Sequence, residues 1–255
     1  MTDPEEDLPP LTRDAFLNGR LMLWQPRSGY RAATDPVLLA AAVPAQAGAH
    51  VLDLGCGIGT AALCLECRVP GLVLHGVELQ RLYADLAERN AAAAGSALTV
   101  HHGNVAQMPK ALRSISFDHV MANPPYLDPA RHVGAALPAR DRAFRDVTVP
   151  LAGWIDAGLR RLRPGGCYTM IQRMDRLPEL LAGFDGRAGD ITLLPLAARA
   201  GRPAARVILR ARKGARGALR MLAPFVLHDG DAHRQDGEDF SAAAQAVLRD
   251  AKSLP

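Results

Sequence analysis

Residues 50–60, His-Val-Leu-Asp-Leu-Gly-Cys-Gly-Ile-Gly-Thr, constrain this chain more than any other stretch. An apolar run carrying one acid passes into three alternate glycines and then into a helix-forming sequence. That is the pattern of a buried strand, a tight loop and a helix N-terminus, which leaves backbone N–H groups free to meet a ligand. Roughly seventy residues on, Asn123-Pro124-Pro125-Tyr126 follows the apolar run 117–122. It sets an amide, two rigid prolines and an aromatic ring at the carboxyl end of another strand. In an open parallel sheet, ligands bind at that end.

The rest of the chain supplies such a sheet. Strands are predicted at 50–54, 72–78, 97–101, 117–122, 167–172, 191–196 and 206–211. Helices are predicted at 58–67, 80–94 (closed by Gly95), 106–112 and 149–162, the last followed by a loop at 163–166. Short apolar runs separated by helical patterns build βαβ units and a mostly parallel sheet. The last two strands, joined by the short Arg/Gly/Pro turn 199–203, read as a hairpin. Upstream, 11–30 reads as a short hairpin, apolar at 21–24 and with turn chemistry at 26–29. Thr34-Asp35-Pro36 supplies cap candidates and an early proline for a helix with the apolar run 37–43. A further apolar run at 219–227 and a helix at 239–252 close the chain. The expected organisation is a disordered acidic, proline-rich tail (1–10), an extension (11–48) and one α/β domain (49–255).

Composition bounds the function. Charged residues at 22% and hydrophobic ones at 49% describe a globular protein, and no apolar run approaches the roughly 20 residues that span a bilayer. The first seven residues carry four acids and no base, unlike a secretory signal. A reduced, cytoplasmic setting is therefore expected for Cys56, Cys64, Cys67 and Cys167. The Cys64/Cys67 spacing lies inside a predicted helix with no second pair nearby, and no His/Cys/Asp cluster has metal spacing, so no metal is expected. Net charge is +4, but its distribution is uneven. Residues 187–220 hold nine basic side chains against Asp190 alone, a local +8. Such a segment is either an arginine-rich solvated surface or a phosphate-facing one.

The glycine loop can be read further. Asp53, two residues before Gly55, puts a carboxylate at the strand end, which suits a cationic ligand better than a pyrophosphate. A nicotinamide fingerprint wants a glycine at position 60, where this chain has Thr. Glu78, ending the second strand, can accept both hydroxyls of a ribose. Leu79 behind it offers an apolar face to a purine. Asn104 and Val105 close the loop after the third strand, where Asn104 can hydrogen-bond an adenine edge. His101 and His102 follow the same strand and read as surface or packing residues, and Trp154 reads as core.

At this point the residues resemble a known family. Val51-Leu52-Asp53-Leu54-Gly55-Cys56-Gly57-Ile58-Gly59 resembles the first motif of class I methyltransferases and Val77-Glu78 the second. Asn123-Pro124-Pro125-Tyr126 resembles the catalytic motif of enzymes that methylate planar NH2 groups. Gln25, Gly29-Tyr30-Arg31, Thr34-Asp35 and Leu38-Leu39 stand upstream, and Ala223-Pro224-Phe225-Val226-Leu227-His228 near the end. With them the chain resembles the tRNA1(Val) adenine-37 N6-methyltransferase family over about residues 16–252. The resemblance implies a seven-stranded, mostly parallel Rossmann-like sheet with a C-terminal antiparallel hairpin. It also implies S-adenosyl-L-methionine as cofactor and RNA, most of all a tRNA anticodon-loop adenine, as substrate. In one departure, Asn104 stands where related enzymes usually carry an acid; an amide oxygen can still accept a hydrogen bond.

The implied chemistry is physically coherent. An exocyclic amine has its lone pair delocalised into the ring, and hydrogen bonds to the Asn123 side-chain oxygen and the Pro124 carbonyl would favour tetrahedral nitrogen. Pro124 and Pro125 hold the backbone so that the carbonyl points at the site, and Tyr126 would stack on a flipped-out base. Arg131 and Arg140, in the long segment after the motif, and Arg206, Arg210 and Arg212, in the +8 segment, are the expected phosphate contacts. The same Asn-Pro-Pro-Tyr serves guanine-N2 methyltransferases of ribosomal RNA and release-factor glutamine N5-methyltransferases. A decayed methyltransferase fold that only binds RNA would be expected to lose the site residues, which are intact here.

Overall fold

In the computed structural model, residues 9–29, 31–126, 149–232 and 239–255 are described. The chain opens with a two-stranded hairpin, β1 (Leu11–Phe16) and β2 (Leu21–Pro26), followed by α1 (Thr34–Ala42). The sheet then begins with β3 (His50–Leu54), α2 (Thr60–Arg68), β4 (Val73–Glu78), α3 (Arg81–Ala94) and β5 (Thr99–His102). A 3-10 turn (Val105–Gln107), a short α4 (Lys110–Arg113) and β6 (Phe117–Ala122) come next. Then follow α5 (Leu151–Arg161), β7 (Leu162–Arg173), α6 (Leu177–Phe184), β8 (Ala188–Ala197) and β9 (Ala204–Lys213). Two minimal strands, β10 (Arg220–Met221) and β11 (Phe225–Val226), and α7 (Ala242–Leu248) complete the described elements.

The strand order is β10-β8-β9-β7-β6-β3-β4-β5, with β11 also on β8. β7, β6, β3, β4 and β5 run parallel, and β9 lies antiparallel between β7 and β8. The chain winds outward from β3 in one direction through β4 and β5, then crosses to β6 and β7 on the other side. The crevice of an α/β sheet opens where the winding reverses, here between β3 and β6. Side-chain alternation gives each strand two cores. Val51, Met121, Ile171 and Ile208 pack with α1, α2 and α7, while Leu52, Leu54, Val120 and Met170 pack with α5 and α6.

Several expectations are corrected. The N-terminal hairpin turns at Leu17-Asn18-Gly19-Arg20, not at 26–29, with φ of 50°, 56° and 81° at the first three. Asn-Gly suits this turn because both residues tolerate the left-handed region. Thr34 and Asp35 lie inside α1, whose N-cap is Ala33 with no side-chain cap bond. The helix expected at 106–112 is split into the 3-10 turn and α4, with Pro109 at the N-cap of the second piece. Residues 163–166 belong to β7, although its pairing with β6 is irregular between Phe117 and His119. Helix α6 was not foreseen, and the apolar run 219–227 resolves into two two-residue strands on β8. The terminal helix is shorter than 239–252. Among the expected tail residues 1–10, only Pro9 and Pro10 are described, and no described helix is long and apolar enough to cross a membrane.

Candidate active site

Pairing of β3 with β6 sets Leu54 opposite Ala122. The residues that follow, Gly55 and Asn123, therefore leave the sheet side by side on strands about 4.8 Å apart. Both line one cleft of about 1030 Å³. On the glycine side it is lined by Asp53, Gly55, Gly57, Glu78, Leu79, Asn104 and Val105; on the other by Asn123, Pro124, Pro125 and Tyr126. Asp35 and Arg206 complete that second wall.

The loop is pinned to the end of β4. The N–H groups of Gly55 and Cys56 donate to Val77 O at 2.8 and 3.1 Å, and that of Gly57 to Glu78 Oε2 at 3.0 Å. Glu78 Oε1 accepts from Gln80 N–H at 2.8 Å. Gly55 has φ of 65°, and a Cβ there would meet Trp154 Cη2 at 2.6 Å. The indole, anchored by its Nε1–H to Val149 O at 3.2 Å, thus packs directly on the loop. Trp154 packs against the core, as expected, and its exposed side also lines the cleft.

The acids in this half are buried and dry. Asp53 is 2% exposed and its Oδ2 has no hydrogen-bond partner. Burial pushes its carboxyl up to about 8; a nearby Ala62 N–H pulls the other way, and the Glu78 charge adds to the rise. Glu78 is raised as well, again through burial, opposed by the backbone N–H groups it accepts. Two acids held above the ordinary carboxylate range, one with an orphaned oxygen, fit a cationic ligand. Leu79 stays 39% exposed beside them, an apolar face open to a purine. These residues fit a sulfonium-bearing nucleoside.

Asn104 lines the cleft and also has a local role. Its Oδ1 accepts Ala106 N–H at 2.8 Å and caps the 3-10 turn. A second lone pair and the NH2 group remain for a ligand. His101 pairs with His75 (3.1 Å between ring nitrogens) and His102 with Leu79 O (3.0 Å), and neither lines the cleft.

On the acceptor side, Tyr126 Oη donates to Asp35 Oδ2, and Arg206 Nη1 donates to Asp35 Oδ1. Arg206 thus stands within the cleft wall. Arg210 and Arg212 lie farther along β9; Arg212 donates to Gly165 O at 2.7 Å. Arg131 and Arg140 lie outside the described residues, as does Tyr30. Behind the cleft, Asn90 is fully buried. Its Oδ1 accepts Trp24 N–H at 2.7 Å, and its Nδ2 donates to Trp24 O and Ile58 O, both at 3.0 Å. One side chain ties the hairpin to the glycine loop. Sequence reasoning missed it, although a polar residue at 90 on the apolar stripe 83-86-87-90 of α3 was the available signal.

Residues 33–139 match the methyltransferase small domain family. The chain is 28% identical over 252 residues to a tRNA1(Val) (adenine(37)-N6)-methyltransferase of Dickeya chrysanthemi, covering 96% of this chain and 97% of that protein. It is 36% identical over 186 residues to the protein of the same name from Yersinia enterocolitica, covering 71% and 73%. The chain belongs to the tRNA1(Val) (adenine(37)-N6)-methyltransferase family. Two solved structures share the fold of this family member. Protein Atu636 of Agrobacterium tumefaciens, described as a predicted O-methyltransferase, superposes with a TM-score of 0.68 at 23% identity, covering 86% of this chain and 98% of that one. The Thermus thermophilus 16S rRNA N2 G1207 methyltransferase, solved with AdoMet and guanosine, gives 0.56 at 22% identity, covering 83% and 52%. As in any methyltransferase, donor and acceptor must meet, and in this member of the family the glycine loop and Asn123-Pro124-Pro125-Tyr126 open onto one space.

Proposed function

We propose that this enzyme transfers a methyl group from S-adenosyl-L-methionine to the exocyclic N6 amine of an adenine in RNA, in the anticodon loop of a tRNA. The observation that carries the reading is the β3/β6 register, which sets the glycine turn and Asn123 next to each other at the switch point of the sheet. The name shared by its relatives supplies the substrate class.

When bound, S-adenosylmethionine supplies an electrophilic methyl group on a sulfonium. Asp53 and Glu78 would hold it by charge and by ribose hydroxyls, with Leu79, Asn104 and Val105 around the purine. Asn123 Oδ1 and the Pro124 carbonyl accept hydrogen bonds from the acceptor amine, drawing its nitrogen toward tetrahedral geometry and freeing the lone pair. The prolines fix the carbonyl's direction. The Tyr126 ring stacks on the extruded base, worth about 1–3 kcal/mol. Once methylated, the nitrogen is positively charged and acidic, so no strong base is needed. Arg210, Arg212, Arg131 and Arg140 are assigned to RNA phosphates.

Incubation of the enzyme with a tRNA transcript and the donor, followed by nucleoside mass spectrometry, is expected to yield N6-methyladenosine. Asn123→Ala should lower turnover by about 10²–10³ and leave donor affinity within a few-fold by calorimetry. N2-methylguanosine as the product would overturn the adenine assignment. An active Asn123→Ala enzyme would remove that amide from the chemistry.

A further inference from the structure

The acceptor wall contains a contact among three side chains far apart in sequence. Asp35 is the second residue of α1, Tyr126 ends the motif after β6, and Arg206 lies on β9 opposite Arg173 of β7 and Leu196 of β8. Asp35 accepts from both others through separate oxygens, Oδ2 from Tyr126 Oη and Oδ1 from Arg206 Nη1. Its side chain is 16% exposed and that of Arg206 24%. Asp35 does nothing to cap its own helix, whose N-cap residue is Ala33 and which has no side-chain cap. The residue at a helix start that sequence rules assign to capping is instead turned into the cleft.

We propose that Asp35 is the positioning residue for Tyr126, that Arg206 is its counter-ion, and that the three act as a clamp fixing the plane on which the acceptor base stacks. The inference rests on the base-methylation reading above and adds to it a residue outside the Asn-Pro-Pro-Tyr motif. A tyrosine at a strand end is free to sweep about two side-chain torsions, and a stacking platform must be held to a fraction of an ångström to set the amine against the donor. A hydrogen bond from a phenol to a carboxylate in a partly buried wall is of the strong, charge-assisted kind. A carboxylate there needs a cation beside it, because an unpaired buried charge is costly. Arg206 supplies that cation, and the first turn of α1 adds the positive end of a helix dipole. With one guanidinium nitrogen bound to Asp35, Arg206 is a part of the clamp and not a grip on RNA phosphate. The antiparallel strand β9 thereby contributes to the site, since its Arg206 reaches past β7 to brace the residues that follow the catalytic strand.

A double-mutant cycle tests the clamp. Single-turnover methylation of a tRNA transcript is compared for the wild type, Tyr126→Phe, Asp35→Asn and the double variant. Donor and RNA affinities are measured separately. Each single change should slow the methyl-transfer step about ten- to a hundredfold, with donor and RNA affinities within a few-fold, and the double should be no slower than the slower single. Two effects that simply multiply would overturn the clamp, as would a Tyr126→Phe enzyme with the wild-type rate. Tyr126→Phe keeps the ring and leaves the Asp35–Arg206 pair intact, so it decides the matter even where Asp35→Asn does not fold. Arg206→Lys, which keeps the charge, should recover part of the rate lost in Arg206→Gln, and neither should change the salt dependence of RNA binding. A changed slope would make Arg206 a phosphate contact and dissolve the triad. Wild-type enzyme that methylates no base in tRNA sinks the functional reading itself; an active wild type with multiplicative variants sinks only the clamp.

Discussion

Asp53 shows how one buried oxygen can make ligand binding depend on pH. Its carboxyl is raised to about 8, chiefly by burial. A raised carboxylate contributes stability that is fully present below the unfolded value near 3.8 and is lost as pH rises through about 8. The free protein should therefore weaken across that window, and Asp53→Asn should remove the dependence, so that the variant gains on the wild type above pH 8 in urea melts. A cationic donor favours the ionised form. At pH 7 binding should thus expel close to one proton, read by calorimetry as a difference between buffers of unlike ionisation enthalpy that is smaller in Asp53→Asn. Equal buffer dependence in the two proteins would mean that Asp53 is already ionised before the donor arrives. The same residue illustrates what sequence can say: its place before the glycine loop pointed to a cation, but the burial that leaves its Oδ2 without a donor is a property of packing.

At the scale of elements, the strands of the sheet were legible because each is a short apolar run closed by a turn residue; β3 and β6 agree with expectation to the residue. What escaped was whatever depends on a partner remote in sequence. Helix α6 carries a short apolar pattern without a side-chain cap and is defined by packing against α5 and β7, where Phe184 meets Tyr168 of β7 edge-on at 5.4 Å. Sequence reasoning reads turn chemistry at 26–29 and misses Asn18-Gly19; both stretches contain good turn residues, and only strand pairing distinguishes them. In the same way Trp154 packs against the core as its helical position suggests, but its seat on Gly55 is visible only in the folded chain. Asn90 is the element-scale prediction. Truncation to Ala leaves Trp24 N–H, Trp24 O and Ile58 O without their partner, so Asn90→Ala should cost about 2–4 kcal/mol in urea unfolding. It should also weaken donor binding, since Ile58 belongs to the glycine loop. An unchanged denaturation midpoint would mean that the hairpin is held by its apolar contacts alone.

For the whole molecule the question is which of the arginines between 187 and 220 remain available to RNA. Folding consumes part of the local +8. Arg187 pairs with Asp156 at 3.2 Å, Arg199 with Asp239, and Arg206 with Asp35, all acids from outside the segment. Arg212 lies 3.9 Å from Asp190. Among the described residues, Arg202, Arg210, Lys213, Arg216 and Arg220 have no carboxylate partner; Arg202, Arg216 and Arg220 are exposed, while Arg210 and Lys213 are half-buried on β9. Arg202 stands in the β8–β9 turn on the same rim as the cleft, because β8 runs parallel to β7 and ends there, while Arg220 and Arg216 lie along and below the β8 edge. A polyanion entering the cleft would continue down this edge, releasing counterions as it does. Replacing Arg202, Arg216 and Arg220 by Gln should weaken tRNA binding and flatten the plot of log affinity against log salt by about 2–3 units, without altering the single-turnover rate at saturating RNA. Removing Arg187 and Arg199 instead should act mainly on stability. Were the two sets to change the salt slope equally, the ion pairs would be too weak to withhold their arginines from RNA, and the charge of the segment would act as a diffuse field instead of a defined track.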